Sequence, residues 1–266
     1  YHGVSVNVQR RMTSGLQFQA AYNYSKNIDY GAGSSNGGEG LPQNQRIDLY
    51  WQHSRMRGLS QLSIKNNFVS NFTYDVPSTS LKGAGGVILN GWQMNGILTL
   101  SSGTPFTLQD SSTEQTRAMR KAGQLRPNLK AGGNNNPIIG DPDRWFNETQ
   151  FIPSVCRAGV YCYTDAQGNP YQTGVSRGNP IPQASLGYQP GFWGDLGSNT
   201  LIGPGLALFD FSLNKNIRVT ESKRFQFRTE IFNLFNHPNF RIPSTTLFSN
   251  NGARNVQAGR VNTTRT

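Results

Sequence analysis

Three histidines, two cysteines and fourteen acidic residues are the material available for catalysis or metal binding, and none falls in a spacing that a reaction would need. His2, His53 and His237 stand far apart, and no H-E-x-x-H, G-x-S-x-G or Walker pattern occurs. His237 belongs to an Asn-His-Pro-Asn turn and reads as structural. Asp141, Asp143 and Glu148 gather in the stretch GDPDRWFNE. Paired carboxylates serve glycoside hydrolysis and such oxygens hold calcium, but Asp-Pro also opens turns, and the turn is the stronger reading. The run Gly31 to Gly40 (GAGSSNGGEG) has the glycine content of a phosphate-binding loop. It lacks the third glycine of G-x-G-x-x-G and leads into Leu41-Pro42 instead of a helix, so it reads as a flexible surface loop. The expectation is a protein that is not an enzyme, with no catalytic, metal or cofactor-binding residues.

Binding chemistry is better represented. Cys156 and Cys162 have five residues between them in a stretch rich in Gly, Tyr and Pro, without C-x-x-C spacing or histidine neighbours. They predict a small disulfide loop outside the cytosol, with a free thiol pair as the alternative. Around them lie Trp145, Phe146, Tyr161, Tyr163, Tyr171, Tyr188, Phe192 and Trp193. Aromatics on a surface loop stack on sugar rings or peptide side chains, which makes Trp145, Tyr161, Tyr163 and Trp193 candidate ligand contacts; equally, they form the loop's own small core. Arg117, Arg120, Lys121, Arg126 and Lys130 are the densest basic run, and the remaining basic residues are scattered. A nucleic-acid platform needs one contiguous stripe with interleaved aromatics, so no nucleic-acid partner is expected. A positive loop at a cell surface would meet lipopolysaccharide phosphates or an anionic ligand.

The elements that must carry these loops follow from composition. Among 266 residues, 25 basic and 14 acidic ones give a net charge of +11, only 15% are charged and 35% are apolar. Soluble domains run near 25% and 45–50%, so neither a highly charged disordered chain nor a well-filled soluble core fits. Thirty Gly, fourteen Pro and 27 Asn leave little room for long helices. Apolar runs reach about four residues, as in Leu206 to Phe209, against the roughly 20 of a membrane-spanning helix. The chain starts at Tyr1 within a predicted strand, without initiator Met or signal-peptide pattern, and is expected to be a piece of a longer protein.

Six segments alternate apolar and polar residues with period two. The first sets Val4, Val6 and Val8 against Ser5, Asn7 and Gln9. A tight turn over Arg11 to Gly15 leads to the second, with Leu16, Phe18, Ala20, Tyr22 and Tyr24 against Gln17, Gln19 and Asn23. The third carries Phe68, Phe72, Tyr74 and Val76, with Val69 and Ser70 out of pattern; the fourth Trp92, Met94, Leu98 and Leu100. Phe209, Phe211 and Leu213 mark the fifth; Phe225, Phe227 and Ile231 the sixth. Phe232 and Leu234 switch parity, which predicts a bulge at the end of the sixth strand.

Charge decides what the apolar parity faces. Lys65, Asp75, Asp210, Arg228 and Glu230 all lie on the polar parity, while Lys26 and Lys215 take the apolar parity only at strand ends. A soluble sandwich would expose Lys, Glu and Thr on its outer face, not Gln, Asn and Ser. In a transmembrane barrel the apolar parity meets lipid and the polar parity lines a wet lumen. Connections alternate in length as well: short or moderate after strands one, three and five, about 35 and 100 residues after two and four. Barrels alternate periplasmic turns with long surface loops in this way. Tyr74, Trp92 and Phe225 then mark the inner rim, and Tyr24, Phe106 and Phe235 the outer one.

In five stretches the chain resembles a known family. Ala21 to Asp29 (AYNYSKNID), Gly91 to Phe106 (GWQMNGILTLSSGTPF), Arg126 to Leu129 (RPNL), Arg144 to Asn147 (RWFN) and above all Phe227 to Phe240 (FRTEIFNLFNHPNF) are similar to the C-terminal barrel of TonB-dependent transporters, within them the Oar-like receptors of Acidobacteria and related soil bacteria. The resemblance implies a large outer-membrane barrel of about 22 strands, closed by an N-terminal plug on which TonB pulls using the inner-membrane proton gradient. No plug, TonB box or closing aromatic-terminated strand occurs in the sequence.

The expected fold is therefore all-β: part of an antiparallel transmembrane barrel, a curved up-and-down sheet of about six strands, in one domain over 1–266 with long extracellular loops at about 27–62 and 107–205. The expected place is the outer membrane of a Gram-negative bacterium. Expected partners are membrane lipid and lipopolysaccharide, the protein's own plug and remaining strands, TonB, and an extracellular ligand of unknown identity. A surface adhesin on the same barrel, or a secreted carbohydrate-binding β-protein without transport, is the alternative. The cysteine reading is tested by mass spectrometry after alkylation without reduction. The peptide spanning Cys156 and Cys162 is expected to carry no alkyl group, and two alkyl groups would rule the bridge out.

Overall fold

The computed structural model describes residues 1–29, 57–81, 83–110, 126–152, 161–164, 170–172, 196–220, 223–249 and 254–265. The six period-two segments become the six strands of one sheet: β1 (His2–Thr13), β2 (Leu16–Lys26), β3 (Asn66–Asp75), β4 (Trp92–Ser101), β5 (Leu206–Arg218) and β6 (Arg224–Ile231). Each pairs antiparallel with its neighbour in chain order. Loops of very different length thus join strands that are adjacent in space, the up-and-down arrangement expected from sequence. Among the described residues no helix is long and apolar enough to cross a membrane.

Register fixes the two faces. Val6, Tyr22, Phe68, Leu100 and Ala207 form one row across five strands, and Phe18, Phe72, Gly96, Phe211 and Ile231 form another. Because side chains alternate with period two, all of these share a face. That face has no second sheet against it: Phe225 and Phe227 remain 69% and 64% exposed. Gly96 lets the Phe72 and Phe209 rings close over the sheet, since a Cβ there would lie 2.3 Å from Phe72 Cε1 and 3.1 Å from Phe209 Cε2.

Turn chemistry sets the ends. Between β1 and β2, Ser14 (φ 52°) and Gly15 (φ 79°) both take the left-handed conformation, the backbone of a two-residue hairpin whose twist matches the strands. The parity change after Ile231 is not a bulge: β6 ends at Ile231 and a turn occupies Phe232 to Phe235. Asn233 and Asn236, both at φ 48°, bend the chain back, and the Asn233 amide donates to Asp210 Oδ1 at 2.8 Å. One element was unforeseen, a seven-residue helix α1 (Gly83–Leu89) in the β3–β4 connection.

The buried apolar core lies off the sheet, at the rim where the long connections meet. Phe106, Leu108, Phe146, Phe151, Leu196, Leu201, Leu247 and Phe248 form it. Phe106 is thus an interior residue, 2% exposed, and not a lipid-facing girdle aromatic as its place in the pattern suggested; two residues of strand, Pro105–Phe106, pair with Leu201–Ile202 and carry it inward. Three further strand pairings complete this rim body. Gln109–Asp110 pairs in parallel with Thr246–Phe248, Asn128–Leu129 with Phe151–Ile152, and Ile28–Asp29 with Gly58–Leu59.

The first hairpin is the simplest place to test the sheet. A Cβ at Gly15 would stand 2.6 Å from the Asp75 carbonyl oxygen, besides the positive φ. Gly15→Val is expected to cost about 1–3 kcal/mol and Ser14→Gly almost nothing. Urea midpoints of the refolded protein would measure both; equal midpoints would contradict the turn.

Candidate functional site

Two regions bring polar chemistry together: the charged face of the sheet and the rim body above it. On the sheet, side chains bond laterally across strands. Thr73 Oγ1 donates to Asn95 Oδ1 (2.9 Å) and Asn95 Nδ2 to Ser212 Oγ (3.2 Å). One row nearer the short-turn rim, Gln93 Nε2 donates to Asp75 Oδ1 (2.7 Å) and Asn214 Nδ2 to Gln93 Oε1 (3.3 Å). Arg228 and Glu230, two residues apart on β6, pair at 2.5 Å. A shallow concavity of about 430 Å³ runs over β4, β5 and β6, lined by Asn95, Asp210, Ser212, Asn214, Arg228 and Glu230 among others. Asn214 is 5% exposed and its Oδ1 has no hydrogen-bond partner. This is a polar, amide-rich wall that carries Arg228 together with Asp75, Asp210 and Glu230.

The rim body is dry inside and cross-tied outside. Phe146 sits between Phe106 and Phe151, with ring centroids at 6.2 and 6.3 Å. Asn199, at φ 52°, exchanges two 2.8 Å hydrogen bonds with Thr107 Oγ1 and donates through Nδ2 to the Leu59 carbonyl at 2.6 Å. It therefore ties the first long connection to the second. Asn239 does the same for the chain after β6, clamping both the amide and the carbonyl of Ala207 at 2.9 and 3.0 Å. Arg254 donates to the carbonyls of Phe151 (2.9 Å) and Glu148 and lies over the Phe248 ring at 5.4 Å. Desolvation there pulls its pKa below the usual value, with the charge of Glu148 acting in the opposite sense; an arginine keeps its proton regardless.

The residues singled out from sequence divide as follows. Trp145 is half-buried against the rim core, its Nε1 donating to the Ile202 carbonyl at 2.9 Å. Tyr161 and Tyr163 lie on the strand Tyr161–Thr164, which pairs with Pro170–Gln172 so that Tyr163 opposes Tyr171; Cys162 belongs to the same strand. Trp193 and Cys156 lie outside the described residues, as do Gly31 to Gly40 and the basic residues Arg117, Arg120 and Lys121. The three acids do not converge. Asp141 Oδ1 accepts from the Asp143 amide at 2.9 Å, as an Asx turn does, while Glu148 is engaged by Arg144 through two bonds of 3.0 and 3.1 Å. Asn199 and Asn239 were missed as organising residues, and the only available signal was the high asparagine content, with Asn239 in the NHPN stretch.

A sheet with one bare apolar face, one polar face and its core at one rim is the geometry of a membrane barrel wall. A family model, described as an outer membrane beta barrel domain, matches residues 1–266. The chain belongs to this outer membrane β-barrel family. No curated protein and no solved structure matches it significantly. Membership assigns the bare face to lipid and the protein to the outer membrane.

Neighbouring positions on β4 test that assignment. Leu98 pairs with Phe209 on the apolar face, and Thr99 with Leu208 on the other. Leu98→Arg is expected to cost about 2–4 kcal/mol in a barrel wall near the midplane, whereas Thr99→Arg stays hydrated. Outer-membrane levels and heat-modifiable gel mobility of the full-length protein report the difference. A worse defect for Thr99→Arg would reverse the two faces.

Proposed function

We propose that this barrel segment is part of a TonB-dependent receptor of the Oar-like type in a Gram-negative bacterium. Its sheet contributes wall to the barrel, and its rim body stands outside the cell as part of the ligand-capture surface for energised uptake. The observation that carries the reading is the unequal construction of the two rims. One end of the sheet is closed by the two-residue turn at Ser14-Gly15 and by the short or moderate connections after β3 and β5, and the other bears a folded body with its own core. A porous wall needs no such body; a receptor that selects a ligand before admitting it does. The polar wall beneath, with Asp210, Arg228 and Glu230, suits a lumen that holds a removable protein plug.

Closing the barrel requires further strands beside β1 and β6, whose outer backbone groups have no partner strand in this sheet and would otherwise meet lipid unsatisfied. In this reading the plug, the remaining strands, TonB, lipopolysaccharide and an extracellular ligand are the partners. The secreted carbohydrate-binding alternative is disfavoured by the uncovered apolar face. An adhesin would use the same barrel, and energy coupling separates the two. The full-length protein from native outer membranes is expected to bind the purified periplasmic domain of TonB and to yield plug peptides preceding Tyr1 on mass-spectrometric mapping. Absence of both would leave the adhesin.

A further inference from the structure

The β3–β4 connection at the short-turn rim ends in a structure that barrel closure does not require. Helix α1 (Gly83–Leu89) presents an aliphatic knuckle: Leu81, Val87, Ile88 and Leu89 are 55%, 50%, 65% and 48% exposed. The connection is held in shape. Asn90 Oδ1 accepts from the Thr79 amide at 2.5 Å and Nδ2 donates to the Thr79 carbonyl at 3.2 Å. Two side chains from the apolar face of the sheet then reach it. Trp92 Nε1 donates to the Ile88 carbonyl at 2.9 Å, and Lys215 Nζ donates to the same carbonyl at 2.9 Å and to that of Asn90. Lys215 opposes Trp92 in register, lies 4.8 Å from its ring centroid and is only 6% exposed.

These contacts place the knuckle on the lipid side of the rim and account for the one cation on the apolar parity of β5. Lys215 does not face lipid; its charge is spent on the carbonyls at the C-terminal end of α1. Trp92 belongs to the bare apolar face and its indole N–H meets the Ile88 carbonyl, so that face adjoins the knuckle, and indole rings favour the boundary between headgroups and acyl chains. We propose that α1 is an interfacial anchor whose aliphatic side chains embed in the phospholipid leaflet at the short-turn rim, fixing how deep this part of the barrel sits. Apolar side chains that dock at this boundary reach about 5–10 Å into it. The inference rests on the lipid face assigned above and takes from the proposed orientation only the identity of the leaflet.

The test uses the full-length protein with its native cysteines, Cys156 and Cys162 among them, replaced by serine. Single cysteines at Ile88, Leu98 and Thr99 carry an environment-sensitive dye, and the protein is reconstituted in vesicles of phosphatidylethanolamine and phosphatidylglycerol containing spin-labelled lipids. The Ile88 label is expected to be quenched about twofold or more by a shallow spin label relative to a deep one. The Leu98 label should show the reverse preference, and Thr99 should respond only to aqueous iodide. Should Leu98 respond as expected while Ile88 is quenched by iodide alone, the anchor is wrong and the lipid face stands. Protection of Ile88 from both quenchers would assign the knuckle to a protein partner and overturn the proposal. Loss of lipid quenching at Leu98 would remove the face assignment itself.

Discussion

Everything in this chain is arranged around one constraint: in hydrocarbon, a backbone amide or carbonyl without a partner costs several kcal/mol. Strands satisfy those groups only sideways, so each of the four inner strands is hydrogen-bonded along both flanks. Once backbone bonding is settled laterally, side chains are free to differ between faces, and the period-two alternation turns one strip of sequence into a lipid surface and a water surface at once. Gly96 shows how closely the lipid surface is managed, because it yields its own side-chain space to the rings of Phe72 and Phe209.

A consequence is that the protein's stability is divided between two different kinds of packing. The sheet has no interior of its own, and its lipid face draws on the membrane. The rim body, by contrast, buries Leu108, Phe146, Phe151, Leu201 and Leu247 completely, each at 0% exposure, as a small water-soluble protein would. Asparagine serves both parts. Its amide bridges strands on the wet wall at Asn95 and Asn214 and closes backbone groups of irregular chain at Asn199 and Asn239. A side chain with both donor and acceptor and no charge suits a protein that contains much non-helical backbone and little room for ions.

The sheet was legible because its signal is local. Val4-Val6-Val8 or Phe225-Phe227 states its face within a few residues, and the register follows from alternation plus the Ser14-Gly15 turn. The rim body was less legible because its signal is distant. Phe106 sits five residues beyond Ser101, the end of a strand whose parity it appeared to extend, and nothing in its neighbours marks it as a partner of Phe146. The parity change at Phe232 was visible, yet a bulge and a turn write the same pattern; what distinguishes them is the left-handed backbone at Asn233. Trp145 was identified as an aromatic of interest, but its bond to the Ile202 carbonyl joins segments that no sequence window contains.

The manner in which the chain after β6 joins the rim body bears on the order of assembly. Adjacent hairpins such as β1–β2 close over a two-residue turn, whereas Arg254 reaches Phe151 across 103 residues. Closing a loop becomes entropically harder with its length, and contacts between distant residues form late. The rim core also needs Leu247 and Phe248, both buried in it, so it is incomplete until the last part of the chain has passed β6. The wall carries a closure just as long, Ser101 with Leu206 across β4 and β5, but it needs no residue after Ile231, whereas the rim core is complete only once the chain after β6 has returned to it; the rim body is thus a record that β6 has already been passed.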